Sequence, residues 1–152
     1  MNIKRVEHIS RSEMMARNDV GAIPASVAII SISDNMHELE EAKQHLVGCN
    51  VEFFRFLDVD DHTGITLDQA RKVLSFIRRN EDKDNFIIHC FMGVSRSAAV
   101  ARWINDHYGL DLPYLESYNA YNKKVYQMLE AANGTSLAAY YAAIEESDRN
   151  LG

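Results

Sequence analysis

The sequence predicts an α/β fold with a central, mostly parallel sheet flanked by helices. Short runs rich in β-branched residues alternate with longer stretches in which apolar residues recur at helical spacing, and helical patterns alone follow them. Repeated strand–helix order places successive strands parallel to one another, with helices covering the sheet faces. The 152 residues suit a single domain over residues 1–152 with a sizeable core.

The first strand–helix–strand unit is predicted within residues 27–59. Residues 27–32 form a compact β-branched run, and residues 33–35 after it are a turn signal. Apolar side chains recur at helical spacing over residues 37–47. Residues 51–59 then have the composition of a second strand.

A further helix, strand and helix follow. Thr66 is predicted to cap a helix over residues 67–80, because Gln69 stands three positions later and completes a capping box. Residues 86–90 have the composition of a buried strand. Residues 97–107 are small and apolar, which predicts a buried helix.

Helices alone are predicted for the remainder of the chain. Gly109 stands where a helix C-cap belongs, and Pro113 can begin a helix whose apolar face extends to Ala132. Gly134 then ends that helix. Residues 136–147 are predicted to form a last amphipathic helix.

Composition and charge narrow the functional classes. The chain is 47% hydrophobic and 25% charged, as in soluble globular proteins, and its net charge of −6 argues against nucleic-acid and membrane partners. Two cysteines, Cys49 and Cys90, are too few for a disulfide scaffold. The first residues lack an apolar stretch of signal-peptide length, and no apolar run is long enough to span a bilayer. We therefore expect a soluble, cytoplasmic protein.

Residues 89–97, His-Cys-Phe-Met-Gly-Val-Ser-Arg-Ser, are the most informative part of the chain. They lie between a predicted strand and a predicted helix, where loop amides and the helix N-terminus together form an anion-binding cradle. The same field favours a thiolate at Cys90. Arg96 provides a planar guanidinium that can bind two phosphate oxygens.

This pattern, His-Cys-x5-Arg-Ser with Gly93 and Ser95 inside it, resembles the active-site loop of the cysteine-dependent protein tyrosine phosphatases. Residues 87–101 are similar to the compact dual-specificity branch and its bacterial and phage members. The resemblance is strong over residues 53–103 and architectural elsewhere. It implies a protein-tyrosine-phosphatase-like fold and hydrolysis of phosphate esters on protein tyrosine, with serine and threonine as the wider dual-specificity range. A phosphoprotein or phosphopeptide is the partner that it implies.

The resemblance assigns roles within the loop. Cys90 would be the nucleophile that forms a phosphocysteine, and Arg96 would bind phosphate and stabilise charge in the transition state. Ser97 would donate a hydrogen bond to the Cys90 sulfur, with an N-cap serine as the alternative. His89 would support the loop without acting as a base. The predicted substrate-binding residues are Phe91, Met92, Gly93, Val94, Ser95 and Arg96.

Cleavage of a phosphate ester also requires an acid for the leaving oxygen. In the resembled family this acid is an aspartate on an upstream loop that follows a strand, and the corresponding window here holds Asp58, Asp60 and Asp61. Alignment of the flanking strand and helix favours Asp61. Asp60 is the next candidate, and Asp58 stays open. The same residue would then act as the base for the attacking water.

No metal ion or other cofactor is expected. The segment that begins at Asp58 fails as an EF-hand, because its sixth position is Thr63 instead of glycine and its twelfth is Gln69 instead of glutamate. The six histidines do not cluster with the cysteines at the spacing of a zinc site. A thiolate nucleophile also needs no metal-activated water.

Two other functional classes stay open. Rhodanese-like sulfur transfer also uses a cysteine loop at a helix N-terminus, but His89, Ser97 and the upstream aspartates favour the phosphatase. A non-catalytic phosphate-binding module would keep Cys90 and Arg96 beside a defective acid loop. Within the phosphatase class, phosphoinositide or RNA 5′-phosphate substrates are disfavoured, because the variable loop positions carry no lysine for a second phosphate.

Overall fold

A computed structural model describes residues 3–134, which form one four-stranded sheet with six helices. The strands are β1 (Arg5–Ser10), β2 (Val27–Ser33), β3 (Val51–Arg55) and β4 (Asn85–Cys90). The helices are α1 (Arg11–Asp19), α2 (Met36–His45), α3 (Leu67–Arg79), α4 (Arg96–Tyr108), α5 (Pro113–Glu116) and α6 (Lys123–Ala132).

The sheet is parallel throughout and has the strand order β1-β4-β2-β3. The predicted α/β class with a mostly parallel sheet is therefore confirmed. All four carboxyl ends lie at one edge, and β4 lies between β1 and β2. Its last residue, Cys90, is in register with Ser10 of β1. Crevices outside the carboxyl ends of such strands are the usual ligand sites of open α/β sheets.

Helices cover both faces of the sheet, which explains why the central strands β2 and β4 are nearly continuous apolar runs. One face packs against α3 and α4, with α6 packed on these two helices, and it receives Phe86, Ile88 and Cys90 from β4. The other face packs against α1 and α2. Ile87 of β4 lies there with Met14. Alternation along β4 thus assigns Cys90 and His89 to opposite faces of the sheet.

The first strand and helix were not predicted from the sequence. The edge strand β1, Arg-Val-Glu-His-Ile-Ser, alternates polar and apolar residues weakly, and most of its residues are only half-buried. The predicted strand over residues 51–59 is also too long, since β3 ends at Arg55. The chain turns away because Asp58 and the backbone at Val59 form hydrogen bonds with the side chain of Asn122 instead of with a neighbouring strand.

The helix predicted from Pro113 to Ala132 is interrupted. The helix α5 ends at Glu116, and α6 begins at Lys123. Asn122 caps α6, because its side-chain oxygen accepts from Val125 N at 3.0 Å, and its own backbone N–H donates to Ser95 O at 3.1 Å. That tertiary hydrogen bond is incompatible with a continuous helix. The helix predicted over residues 136–147 lies outside the described residues.

Two predicted helix ends are confirmed. The Thr66 hydroxyl accepts from Gln69 N at 3.1 Å, and the Gln69 side chain accepts from Thr66 N, so the capping box of α3 is complete. Gly109 ends α4 in the left-handed conformation, with φ of 61°. Among the helices of residues 3–134, none combines the length and apolar character needed to cross a bilayer.

Candidate active site

The predicted anion cradle is the loop between β4 and α4, residues 90–96, here called the cradle loop. It turns at Gly93, where φ is +74°. A Cβ atom at that position would lie 2.3 Å from the carbonyl carbon of Ile9 and 2.4 Å from Ser10 N. The loop therefore packs directly on the backbone of β1, and only glycine satisfies both the conformation and the space.

Four carbonyl groups of the cradle loop accept hydrogen bonds from donors outside it. The pairs are Arg11 N with Phe91 O (3.2 Å), His8 Nδ1 with Gly93 O (2.7 Å), Tyr118 Oη with Val94 O (2.5 Å) and Asn122 N with Ser95 O (3.1 Å). In a trans peptide the N–H points away from the carbonyl of the same plane. The amides that follow these carbonyls thus face the inside of the loop, where an anion would lie.

Cys90 ends β4 at the base of this loop and is 2% exposed. Its Sγ lies 3.1 Å from the hydroxyl of the fully buried Ser97. The alternative role of Ser97 as the N-cap is wrong, because Ser95 occupies that position and its side chain makes no capping hydrogen bond. The first amides of α4 therefore remain available to an anion.

Arg96 is 4% exposed, and its guanidinium is bound along one edge. Its Nη1 donates to Phe56 O at 2.8 Å and to the carboxylate of Asp34 at 2.5 Å. Its Nε is buried and has no hydrogen-bond partner among the described residues. A buried donor without an acceptor is costly, and the oxygen of a bound anion would remove that cost.

Asp34 is a site residue that the sequence analysis treated only as part of a turn. It directly follows β2, whose carboxyl end lies at the same edge of the sheet as the cradle loop. An acidic residue directly after a predicted parallel strand was the sequence signal that could have identified Asp34 as a site residue. His8, Arg11 and Tyr118 could not be found in this way. They contact the loop from β1, from α1 and from the segment between α5 and α6, none of which the sequence predicted.

His89 is fully buried on the opposite face of β4, and its Nε2 lies 2.7 Å from the hydroxyl of Ser31 on β2. Burial lowers the pKa of His89 to about 4, and the positive charges of Arg11 and Arg96 act in the same direction. The imidazole is therefore neutral at physiological pH. Its contact with Ser31 links β4 to β2 directly before the cradle loop begins.

The three candidate aspartates lie on the segment between β3 and α3, residues 56–66, here called the acidic loop. Asp58 contacts the cradle loop directly, because its Oδ1 accepts from the Ser95 hydroxyl at 2.8 Å. The same oxygen accepts from Asn122 Nδ2 at 2.8 Å. Asn122 also donates to Val59 O at 3.1 Å, so it joins the acidic loop to the cradle loop.

Asp61 is bound within its own turn. Its Oδ1 accepts from the backbone N–H of Thr63 at 2.8 Å and from the Thr63 hydroxyl at 2.5 Å, and these hydrogen bonds lower the pKa of Asp61. Asp60 is exposed on the same loop. All three aspartates border a cavity of about 520 Å³ that Ser95 also lines. The structure therefore brings the three acidic candidates to one side of the cradle loop.

The remaining predicted substrate-binding side chains are at the surface. Phe91, Met92 and Val94 are all exposed beside the buried Cys90 and Arg96. Cys49 lies apart, in the apolar cluster on the other face of the sheet, and burial raises the pKa of its thiol. Within residues 3–134, no group of three or more histidine, cysteine, aspartate or glutamate side chains is arranged to hold a metal ion.

Comparisons with known proteins support the fold. No family model and no curated protein matches the sequence. The crystal structure of PTPMT1 is similar over 93% of this chain and 96% of its own, with 18% identity and a TM-score of 0.51. PTPMT1 in complex with PI(5)P is similar over 92% and 95%, with 14% identity and a TM-score of 0.52. Tk-PTP in the active form is similar over 93% of this chain and 92% of its own, with 15% identity and a TM-score of 0.47.

These likenesses show that the chain shares its fold with the solved PTPMT1 structures. The resemblance stated from the loop motif is therefore confirmed at the level of the fold. PTPMT1 is the solved structure on which this rests, because its alignments cover nearly the whole of both chains.

Replacing Gly93 with alanine should weaken anion binding by the cradle loop. The new Cβ would collide with the β1 backbone, so the loop must move and its inward amides lose their alignment. Gly109→Ala is the matched control, because Gly109 also has positive φ but has open space around its Cβ position. Titration calorimetry with inorganic phosphate should show at least about tenfold weaker binding for Gly93→Ala alone. Equal phosphate affinity in both variants would contradict this geometry.

Proposed function

We propose that this protein hydrolyses phosphate monoesters on protein tyrosine, with serine and threonine as the wider dual-specificity range, through a phosphocysteine intermediate. The observation that carries the proposal is the buried Arg96 Nε, a donor without a protein acceptor, in the loop that also holds Cys90. A phosphoryl oxygen is an acceptor of the kind that this donor needs. The fold shared with PTPMT1 supports a phosphatase in general.

In the first step, the Cys90 thiolate attacks phosphorus, so that a sulfur–phosphorus bond forms while the bond to the leaving oxygen breaks. The inward amides of the cradle loop and Arg96 stabilise the charge on the three equatorial oxygens. An aspartic acid on the acidic loop donates its proton to the leaving oxygen. The alcohol or phenol departs neutral, and the phosphoryl group stays on Cys90.

In the second step, water attacks phosphorus and the sulfur–phosphorus bond breaks. The aspartate that gave its proton now takes one from the water. The hydroxyl of Ser97, 3.1 Å from Sγ, donates a hydrogen bond to the departing thiolate. Inorganic phosphate is released, and both the thiolate and the protonated acid are restored for the next turnover.

Asp61 is the acid that we favour, and the hydrogen-bond pattern supports it over Asp58. Asp58 accepts from both Ser95 and Asn122, which suits a residue that anchors the acidic loop against the cradle loop. The hydrogen bonds of Asp61 from Thr63 are confined to its own turn. Asp61 can therefore change partners without breaking that anchor. Asp60 is the next candidate.

Cys90→Ser should abolish hydrolysis of p-nitrophenyl phosphate while phosphate binding persists, because serine keeps the loop geometry but lacks a thiolate. The assay is run in EDTA between about pH 5 and 8, the range in which aspartate and thiolate chemistry operates. Cys49→Ser is the matched control and should retain wild-type activity, since Cys49 lies in the other apolar cluster.

Turnover by Cys90→Ser at the wild-type rate would exclude Cys90 as the nucleophile. Phosphate binding without turnover in the wild type would instead identify a phosphate-binding module. Consumption of thiosulfate and cyanide without phosphatase activity would identify sulfur transfer.

Asp61→Asn should lower kcat about 10²- to 10⁴-fold for phenyl phosphate, which needs an acid for its leaving group. It should change kcat little for 2,4-dinitrophenyl phosphate, whose leaving group is stable without a proton. Asp58→Asn is the control, because an asparagine oxygen can still accept from Ser95 and Asn122. Suppose that Asp61→Asn lowers kcat equally for both substrates, and that Asp60→Asn or Asp58→Asn lowers it only for phenyl phosphate. The general acid would then be Asp60 or Asp58 instead.

Thr63→Val should move the alkaline limb of the phenyl phosphate pH profile to higher pH. The Thr63 hydroxyl stabilises the Asp61 carboxylate and lowers its pKa, so its removal raises that pKa toward the ordinary value. The protonated acid then survives to higher pH, and kcat/KM falls later as the pH rises. The pH profiles of the purified variant and wild type are compared. If their alkaline limbs coincide, Asp61 is not the proton donor.

A further inference from the structure

The exposed apolar side chains of the described residues gather at the edge of the sheet that holds the candidate active site. Large apolar side chains exposed by 44% or more number eight in residues 3–134, and five of them lie on loops or helix starts at this edge. We call these five the apolar rim: Met36, Leu57, Phe91, Met92 and Val94.

The apolar rim is connected to the site through the anchors of Arg96. Met36 stands two residues after Asp34, which pairs with Arg96, and Leu57 follows Phe56, whose carbonyl accepts from Arg96. The other three members belong to the cradle loop itself. The rim therefore adjoins the phosphate cradle on several sides. Clustered apolar exposure of this kind marks interaction surfaces, whereas single exposed residues do not.

The charges near the apolar rim are mainly acidic. Asp58 and Asp60 are exposed on the acidic loop, and Asp34 is one-third exposed. Of the cations near the rim, Arg11 pairs with Glu41 at 3.3 Å and Lys123 binds carbonyl groups of its own turn, while Arg55 at the end of β3 is exposed. The positive charge of the Arg96 guanidinium attracts an anion into the cradle, where that side chain is buried. A second negative charge beside the phosphate would therefore meet apolar side chains and carboxylates.

We propose that the apolar rim binds apolar side chains that flank the phosphorylated residue of a protein substrate, and that it discriminates against acidic flanking residues. This inference rests on the proposed phosphatase function and specifies its substrates. The phosphate enters the cradle, and the neighbouring residues of the substrate cover the exposed rim. An anionic bilayer is a poor fit for the same surface, because basic residues are what such surfaces attract, and this chain carries a net charge of −6.

The test compares three phosphotyrosine peptides that differ only beside the phosphotyrosine, with leucine, serine or glutamate at the flanking positions. The expected order of kcat/KM is leucine, then serine, then glutamate, with about tenfold between the extremes, as for a partly enclosed apolar contact. Hydrolysis of p-nitrophenyl phosphate, which has no flanking residues, reports the phosphatase activity separately. Phosphatidylinositol phosphate in phosphatidylcholine vesicles is the lipid comparison.

Two rim variants, Met36→Lys and Met92→Lys, test the surface itself. Each should lower the leucine-to-glutamate ratio of kcat/KM about tenfold, and this ratio cancels any change in basal activity. Both side chains are about half exposed or more, so the substitutions do not disturb the core. Val47→Lys is the matched control, because Val47 is an exposed apolar residue between α2 and β3, at the opposite edge of the sheet. It should leave the ratio unchanged.

Equal rates for the three peptides, with p-nitrophenyl phosphate still cleaved, would overturn the inference and leave the phosphatase proposal intact. An unchanged ratio in both rim variants would also overturn it. Faster cleavage of the vesicle lipid than of every peptide would assign the surface to a lipid substrate instead. Failure to cleave any substrate would overturn both proposals.

Discussion

The ion pair between Arg96 and Asp34 is the interaction on which the rest of the site depends. A guanidinium that is almost fully buried needs a partner, since its desolvation is otherwise uncompensated. Asp34 follows β2, and the carbonyl of Phe56, the second acceptor, follows β3. The parallel register of the sheet thus supplies both acceptors. The cation is oriented before any ligand arrives, so little conformational entropy is lost on binding.

The cradle loop is shaped by its surroundings more than by its own residues. Donors from β1, from α1 and from the segment between α5 and α6 hold its carbonyls outward, and the β1 backbone excludes a side chain at Gly93. Asn122 extends this support to the acidic loop, because it bonds Ser95, Asp58 and Val59 together. The cradle loop and the acidic loop are therefore coupled through the side chain and backbone of one asparagine.

Local patterns explain what could be predicted of the fold. Neighbouring residues encode three correctly predicted features: the capping box of Thr66, the C-cap at Gly109 and the buried strand that ends at Cys90. The strand β1 was missed because an edge strand with half-buried residues has no strong period. The break between α5 and α6 was missed because Asn122 donates its backbone N–H to Ser95, which is distant in sequence. Helical periodicity carries no information about such a contact.

Sequence patterns were enough to predict the parallel α/β architecture and the grouping of Cys90, Arg96 and Ser97, since one strand–loop–helix segment holds all three. The groups that complete the site could be found only from the three-dimensional structure. Asp34 and His8 meet because the carboxyl ends of parallel strands share one edge, and Asn122 reaches the same place from the N-cap of α6. The hydrogen bonds that Asp58 accepts are likewise tertiary, because Ser95 and Asn122 are distant in sequence, whereas Asp61 is bound by Thr63 of its own turn.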